Sequence, residues 1–309
     1  MTESFAQVSA YQPQRAARSM TVSVRGLDLN VWCWEPLADT TPARHTLLAV
    51  HGWMDLGASF QFLVDHLPAD WRVFAPDWRG FGRSAKTPGD SYWFYDYLGD
   101  LDGLVNQLLP DEPINLLGHS MGGNVSMMYA GARPSRIRTL INLEGAGMPP
   151  TRPARAPGRM AKWLDELPEG QRLFEYDSIE AVAQRLSKNN PRLRADRALW
   201  LAAQWSEQTA NGKRRLLADP RHKQVNPYLY RADEIDAFWE AITAPVLWVD
   251  SEHKNSWHGF TETEEYKARV ARVQQLTHRV LAQTGHMLHH DQPDALAQLV
   301  QGFIEAGNV

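Results

Sequence analysis

Short apolar runs alternate with stretches of helical spacing along most of this 309-residue chain. Residues 21–36 read as two short strands that begin the fold antiparallel. Residues 46–50, 71–76, 113–117 and 139–143 are nearly continuous apolar runs, the pattern of strands buried on both faces. Helix-like segments lie between them, among them the run from Gly123 to Ala132. This alternation continues to about Leu143 and predicts an α/β class, with a mostly parallel sheet covered by helices.

The texture then changes. Residues 148–159 are rich in Pro, Arg and Ala, a hinge-like composition. Residues 160–241 read as helices without strands, over 161–167, 179–188, 196–208 and 232–241. Strand character resumes at 245–249 and again at 279–282. A last helix starts near Pro293, with Leu296, Leu299, Val300, Phe303 and Ile304 on one face. The expected division is a core of residues 1–147 and 242–309, with residues 148–241 inserted as a helical unit. No internal repeat stands out.

The chemistry concentrates at the end of the 113–117 strand. Gly118-His119-Ser120-Met121-Gly122 places a serine in a G-x-S-x-G turn between strand and helix, the context that a nucleophile elbow requires. The flanking glycines allow a turn that bulkier residues would block. The Met121 N–H, at the start of the helix, points toward the same space as a candidate oxyanion donor. A serine hydroxyl needs a base. Gly285-His286 follows the last strand and precedes the last helix, and His286 is the expected base. His289, His290 and Asp291 lie close by, but no paired zinc-type spacing such as H-E-x-x-H occurs, so no metal is expected, and His289 and His290 read as polar loop surface or as support for the site.

Taken with two further segments, these motifs resemble the α/β-hydrolase family over nearly the whole chain. Residues 46–53, ending Val50-His51-Gly52-Trp53, are similar to the third strand and His-Gly loop of that family. Asp77-Trp78-Arg79-Gly80-Phe81-Gly82-Arg83-Ser84 is similar to its D-x-R-G-x-G-x-S loop. The resemblance implies the α/β-hydrolase fold: a mostly parallel eight-stranded sheet, helices on both faces, and a helical cap between strands six and seven. It also implies the Trp53 backbone N–H as the second oxyanion donor beside Met121. Within the family, serine-hydrolase-like esterases look closest.

The acid is where the chain departs from the common pattern. The usual site follows strand seven, and there Lys254 occupies the acid position; a cation cannot orient an imidazole. Glu144 stands at the end of strand six, 24 residues after Ser120. The segment Leu143-Glu144-Gly-Ala-Gly-Met-Pro resembles the stretch in a dehalogenase group whose acid is a glutamate. Glu144 is the first choice, Asp250 the alternative, and Glu252 or no acid the remainder. Those dehalogenases carry Asp at the elbow; Ser120 here points to acyl transfer instead.

Composition removes other classes. The formal net charge is −4, with no basic excess to suggest a nucleic-acid partner. No apolar run approaches the ~20 residues that span a bilayer, so no membrane insertion is expected. The first 20 residues lack the apolar core of a secretory signal. With the single cysteine, Cys33, this suggests a cytoplasmic protein in which Cys33 serves packing. Gly80-Phe81-Gly82-Arg83-Ser84-Ala85 mimics a dinucleotide fingerprint, but Lys86-Thr87-Pro88-Gly89-Asp90 cannot open the helix that would cradle a pyrophosphate. No cofactor is expected. Of twelve tryptophans, Trp163, Trp200, Trp205 and Trp239 fall in the insertion, and Trp53, Trp78 and Trp93 in or near loops at the active end of the sheet. Packing explains most of the former, while Trp53 borders the expected pocket. Arg152, Arg155 and Arg159 read as a solvated hinge.

The sequence thus predicts a serine hydrolase that cleaves a carboxylic ester or related acyl compound through an acyl-enzyme. The substrate would be a small molecule with an apolar group. A C–C bond hydrolase or perhydrolase with the same triad is the alternative within enzymes. A non-catalytic protein binding a small ligand under the cap is the alternative outside them.

Overall fold

The computed structural model describes residues 5–37, 43–253 and 256–307. Its main sheet has eight strands in the order β1 (Arg18–Val24), β2 (Leu27–Trp34), β4 (Trp71–Pro76), β3 (His45–Val50), β5 (Ile114–His119), β6 (Ile137–Leu143), β10 (Val246–Ser251) and β11 (Leu276–Leu281). A separate small sheet holds β7 (Glu175–Tyr176), β9 (Arg214–Leu216) and β8 (Ser206–Gln208). In the main sheet β2 pairs antiparallel with β1 and β4, and the remaining pairs are parallel. The β1–β2 hairpin turns at Arg25 and Gly26, both with positive φ (52° and 77°), the conformation of a two-residue primed turn.

Alternation within each strand divides the core between the two faces of the sheet. On β3, Leu48 and Val50 join Val125 and Leu104 on one face. Leu47 and Ala49 join Leu143, Val300 and Ile304 on the other. The helix Phe94–Leu108 buries Tyr97, Leu101, Leu104 and Val105, the three-and-four spacing of one helical stripe. Its buried Asp100 receives a two-pronged contact from Arg79, at 2.6 Å from Nε. The dinucleotide-like turn proves structural. The carboxylate of Asp77 accepts from Asn30, Trp32 and the backbone N–H groups of Gly57 and Arg83. A Cβ on Gly82 would sit 2.2 Å from Asp77, so the turn wraps a buried carboxylate, and no helix follows until Phe94.

Residues 148–241 lie between β6 and β10 and are not all helical. The helices are Ala156–Glu169, Ile179–Asn189, Ala195–Trp205 and Ala232–Glu240. The helix expected over 196–208 stops at Trp205, and its last three residues form β8. β8 and β9 make a hairpin around Asn211-Gly212, with Gly212 at φ +82°. These strands are two or three residues long and carry charged side chains, so no apolar alternation announces them. The Asn-Gly pair is the signal that could have. The hinge is also shorter than expected, because Ala156–Glu169 begins inside it with proline in its first turn. Phe62 packs with Val182, Leu186, Leu193 and Leu201, anchoring this segment to the core. Among the described residues no helix is long and apolar enough to cross a membrane.

Candidate active site

The carboxyl ends of β3, β5, β6 and β11 converge, and each delivers one group. β5 ends at His119, and Ser120 turns the chain with φ 53° and ψ −113° into the helix Met121–Ala132. This strained conformation is held by the Ser120 N–H, which donates to Leu143 O at 2.8 Å. The glycines either side are sterically required. A Cβ on Gly118 would lie 2.4 Å from Gly122 O, and one on Gly122 would lie 2.3 Å from Val50 O. Gly52 is equally tight against the turn, since its Cβ would meet His119 Nδ1 at 3.0 Å and Ser120 Cβ at 3.2 Å. The Gly52-Trp53 backbone therefore runs directly beside the serine. Met121 is the first residue of its helix, so its N–H has no intrahelical acceptor.

His286 lies in the loop after β11, with Nε2 2.9 Å from Ser120 Oγ. Its Nδ1 lies 3.1 Å from Glu144 Oε2. Glu144 follows β6 with φ 56°, is 5% exposed, and accepts the Ser251 N–H on Oε1 at 2.6 Å. An ionised carboxylate only accepts, so the contact assigns the proton to Nδ1 and leaves the Nε2 lone pair facing the serine hydroxyl. This arrangement can draw the hydroxyl proton onto Nε2 while the carboxylate offsets the charge of the resulting imidazolium.

The other candidate acids are engaged elsewhere. Asp250 accepts from Trp248 Nε1 at 3.0 Å and faces His278 Nε2 at 3.1 Å. Glu252 accepts the Gln283 N–H at 2.8 Å. Lys254 lies outside the described residues.

Sequence reasoning passed over the groups that hold the base. His119 Nε2–H donates to the His286 carbonyl at 2.8 Å, so the residue before the serine steadies the loop of the histidine. Burial pushes the His119 imidazole well below the ordinary histidine value, which keeps it neutral. Asp291 accepts the Gly285 N–H at 2.8 Å and the Asn190 side-chain amide at 2.7 Å. Arg197 Nη1 donates to the His290 carbonyl at 2.6 Å. Asn190 and Arg197 both belong to the 148–241 segment. His51 braces the oxyanion loop: Nδ1–H donates to Gly52 O at 2.7 Å and Nε2 accepts the Trp78 N–H at 3.0 Å.

His289 and His290 are not loop surface, one expectation from sequence. They are 0% and 2% exposed, in the short helix Leu288–Asp291 beneath Phe60 and Phe62. Asp55, His289 and His290 bring ligand-type atoms within 4.8 Å of one another. Asp55 already accepts the Ser59 hydroxyl at 3.0 Å and the Leu56 N–H at 2.8 Å, whereas His289 Nδ1 and His290 Nε2 are buried without a hydrogen-bond partner among the described residues.

A cavity of about 420 Å³ opens on Ser120 and His286 and continues between Trp53 and the apolar residues Val182, Leu186, Leu201, Trp205 and Leu216. Trp53 is 53% exposed, with Nε1 donating to His222 O at 3.2 Å. Arg159, one of the hinge arginines, instead donates to Asn226 O.

Comparison with known proteins agrees with this architecture. A family model described as the alpha/beta hydrolase fold matches residues 45–293. A serine hydrolase-like protein of Danio rerio is 25% identical over 300 residues, covering 94% of this chain and 90% of its own. The 2-(acetamidomethylene)succinate hydrolase of Mesorhizobium japonicum is 27% identical over 266 residues, covering 84% and 88%. Among solved structures, the thioesterase domain from the curacin biosynthetic pathway superposes with a TM-score of 0.81 at 24% identity, covering 93% of this chain and 99% of that one, a likeness of fold. With the eight-stranded sheet already described, these findings establish that the chain belongs to the α/β-hydrolase fold family.

Proposed function

We propose that this protein is a serine hydrolase that cleaves a carboxylic ester or related acyl compound. Ser120 Oγ attacks the carbonyl carbon as its proton passes to His286 Nε2. The carbonyl oxygen becomes an oxyanion held by the backbone N–H groups of Trp53 and Met121. The bond to the leaving oxygen then breaks, and that oxygen takes the proton from Nε2. A water molecule, activated by the same nitrogen, attacks the acyl-enzyme and releases the acid and Ser120. Glu144 holds the Nδ1 proton throughout. Residues 1–147 and 242–309 form the hydrolase core in this reading, and residues 148–241 form a cap over the site. No step calls for a cofactor.

The observation that carries the reading is the unbroken contact chain Ser120 Oγ, His286 Nε2, His286 Nδ1, Glu144 Oε2. A pure binding protein would have no use for a buried carboxylate on a histidine that meets an elbow serine. The Mesorhizobium relative's name concerns a substituted succinate, so the class of bond cleaved is the point to test. A panel of nitrophenyl esters of increasing acyl length, with a matched thioester and a vinylogous C–C substrate, checks it. Turnover of esters supports the reading. Turnover of the C–C substrate alone would replace it with the C–C hydrolase alternative.

A further inference from the structure

Asp55, His289 and His290 come together from two ends of the chain. Asp55 closes the loop that starts at Gly52 and Trp53, and its N–H donates to Gly52 O at 3.3 Å. His289 and His290 follow His286 on the short helix Leu288–Asp291. One ligand-type atom of each lies within 4.8 Å of the others, and all three residues are buried. Asp55 and His290 also border the cavity of about 420 Å³ that opens on Ser120. A small cation therefore has a route to them through that cavity.

Hydrogen bonding leaves this group incomplete. His289 Nε2 stands 3.6 Å from Asp55 Oδ2, too far for a hydrogen bond, and meets the Ser59 hydroxyl at 3.4 Å. His289 Nδ1 and His290 Nε2 are buried with no hydrogen-bond partner among the described residues. Protein interiors pair nearly all such atoms, and those left over point to a bound ion or water. Two imidazoles and one carboxylate suit zinc, nickel or copper(II), whereas magnesium and calcium prefer oxygen ligands throughout. A tetrahedral zinc with bonds of about 2.1 Å holds its ligand atoms about 3.4 Å apart. The separation of His289 Nε2 and Asp55 Oδ2, 3.6 Å, is close to that spacing.

We propose that Asp55, His289 and His290 bind one divalent cation of the zinc class, and that its binding slows hydrolysis. The three ligand atoms, up to 4.8 Å apart, must draw together around the ion. Asp55 is then pulled toward the helix Leu288–Asp291, which shifts the loop of Trp53 against that of His286. The His119 ring lies 4.6 Å from the ring of His289 and 4.9 Å from that of His286, so the base feels the same movement. Misplacing reacting groups by about 1 Å can cost about 10²-fold in rate. The binding claim is independent of the serine-hydrolase reading, and the effect on rate rests on it.

Titration calorimetry of the full chain with zinc alone, near neutral pH, should show one zinc per chain. His290→Gln should weaken binding at least about tenfold, since losing even a supporting contact costs about 10- to 100-fold in affinity. His289→Gln is the second variant should His290→Gln fold poorly. His286→Ala should bind zinc as the wild type does, which separates this site from the triad. Excess magnesium should not displace the zinc. In turnover of a nitrophenyl ester, zinc should slow the wild type about tenfold or more, within the cost of such misplacement. His290→Gln should stay close to its own zinc-free rate. Absence of zinc uptake by the wild type, unchanged uptake in both glutamine variants, or loss of uptake in His286→Ala alone would overturn the site. Zinc bound at these residues without effect on turnover would overturn the coupling to catalysis. A wild type that binds zinc yet turns over no ester would remove the serine-hydrolase reading and leave the site standing.

Discussion

Glu144 Oε2 and His286 Nδ1 stand 3.1 Å apart although their strands, β6 and β11, are separated in the sheet by β10. The contact works because Glu144 turns across the end of β10, where the Ser251 N–H takes its other oxygen at 2.6 Å. The carboxylate is thus buried, fixed by a backbone donor, and aimed at one ring nitrogen. Glu144→Gln should keep the fold and lower kcat by up to ~10⁴-fold, as loss of the orienting carboxylate does in serine proteases. Asp250→Asn should leave kcat within a few-fold, because Asp250 is bonded to Trp248 and His278. The reverse ranking in steady-state kinetics would hand the acid role to β10.

The base is also held from the 148–241 segment. Asn190 reaches Asp291, and Asp291 reaches the N–H of Gly285, the neighbour of His286. Asp291→Ala should release this tether and reduce kcat by roughly 10- to 100-fold, the cost of small misplacement near the reacting atoms. KM should change little, and reaction of Ser120 with an organophosphonate should slow in parallel. A change in KM alone, with phosphonylation unaffected, would show that the tether serves substrate binding rather than the base.

Much of this site is legible in the sequence because its signals are local. Gly118 to Gly122 spell the turn within five residues, and the positions that the glycines leave free of a Cβ are those that the backbone of β3 and the helix occupy. His286 follows from its place between the last strand and the last helix. Glu144 follows from a cation, Lys254, where a carboxylate is usual. The supporting contacts are different in kind. Asn190 and Asp291 lie 101 positions apart in the chain, and nothing in either neighbourhood predicts their meeting. His289 and His290 look like loop polarity until Phe60 and Phe62 from the other end of the chain cover them. The β7–β9 sheet escaped notice because strands of two or three charged residues carry no periodicity, although Asn211-Gly212 marked its hairpin.

Buried histidines give the fold a defined acid sensitivity. His222 is stacked between Phe81 and Tyr92 at 3.7 Å from each ring. Its Nδ1 meets the Tyr97 hydroxyl at 3.2 Å. Burial pushes its imidazole down to about 3, with nearby Asp219 opposing the shift. The unfolded chain therefore binds a proton near the ordinary value of ~6.5 that the folded protein refuses. Between those two pH values the unfolded state holds more protons, so stability falls as pH falls from about 6.5 toward 3. His119 and His290, also shifted down by burial, act in the same direction. In urea melts between pH 6 and pH 4.5, His222→Gln should reduce the loss of unfolding free energy by ~1.4 kcal/mol per pH unit. Parallel slopes for variant and wild type would contradict the assignment to His222.

The account stands or falls on Ser120 as a covalent nucleophile, and labelling with a fluorophosphonate probe followed by intact-mass and peptide analysis measures this directly. The wild type should gain one probe adduct, located on Ser120. Ser120→Ala should gain none, and His286→Ala should label far more slowly, because the hydroxyl then lacks its base. A folded wild type that takes no label, or an alanine variant that labels as fast as the wild type, would contradict the mechanism.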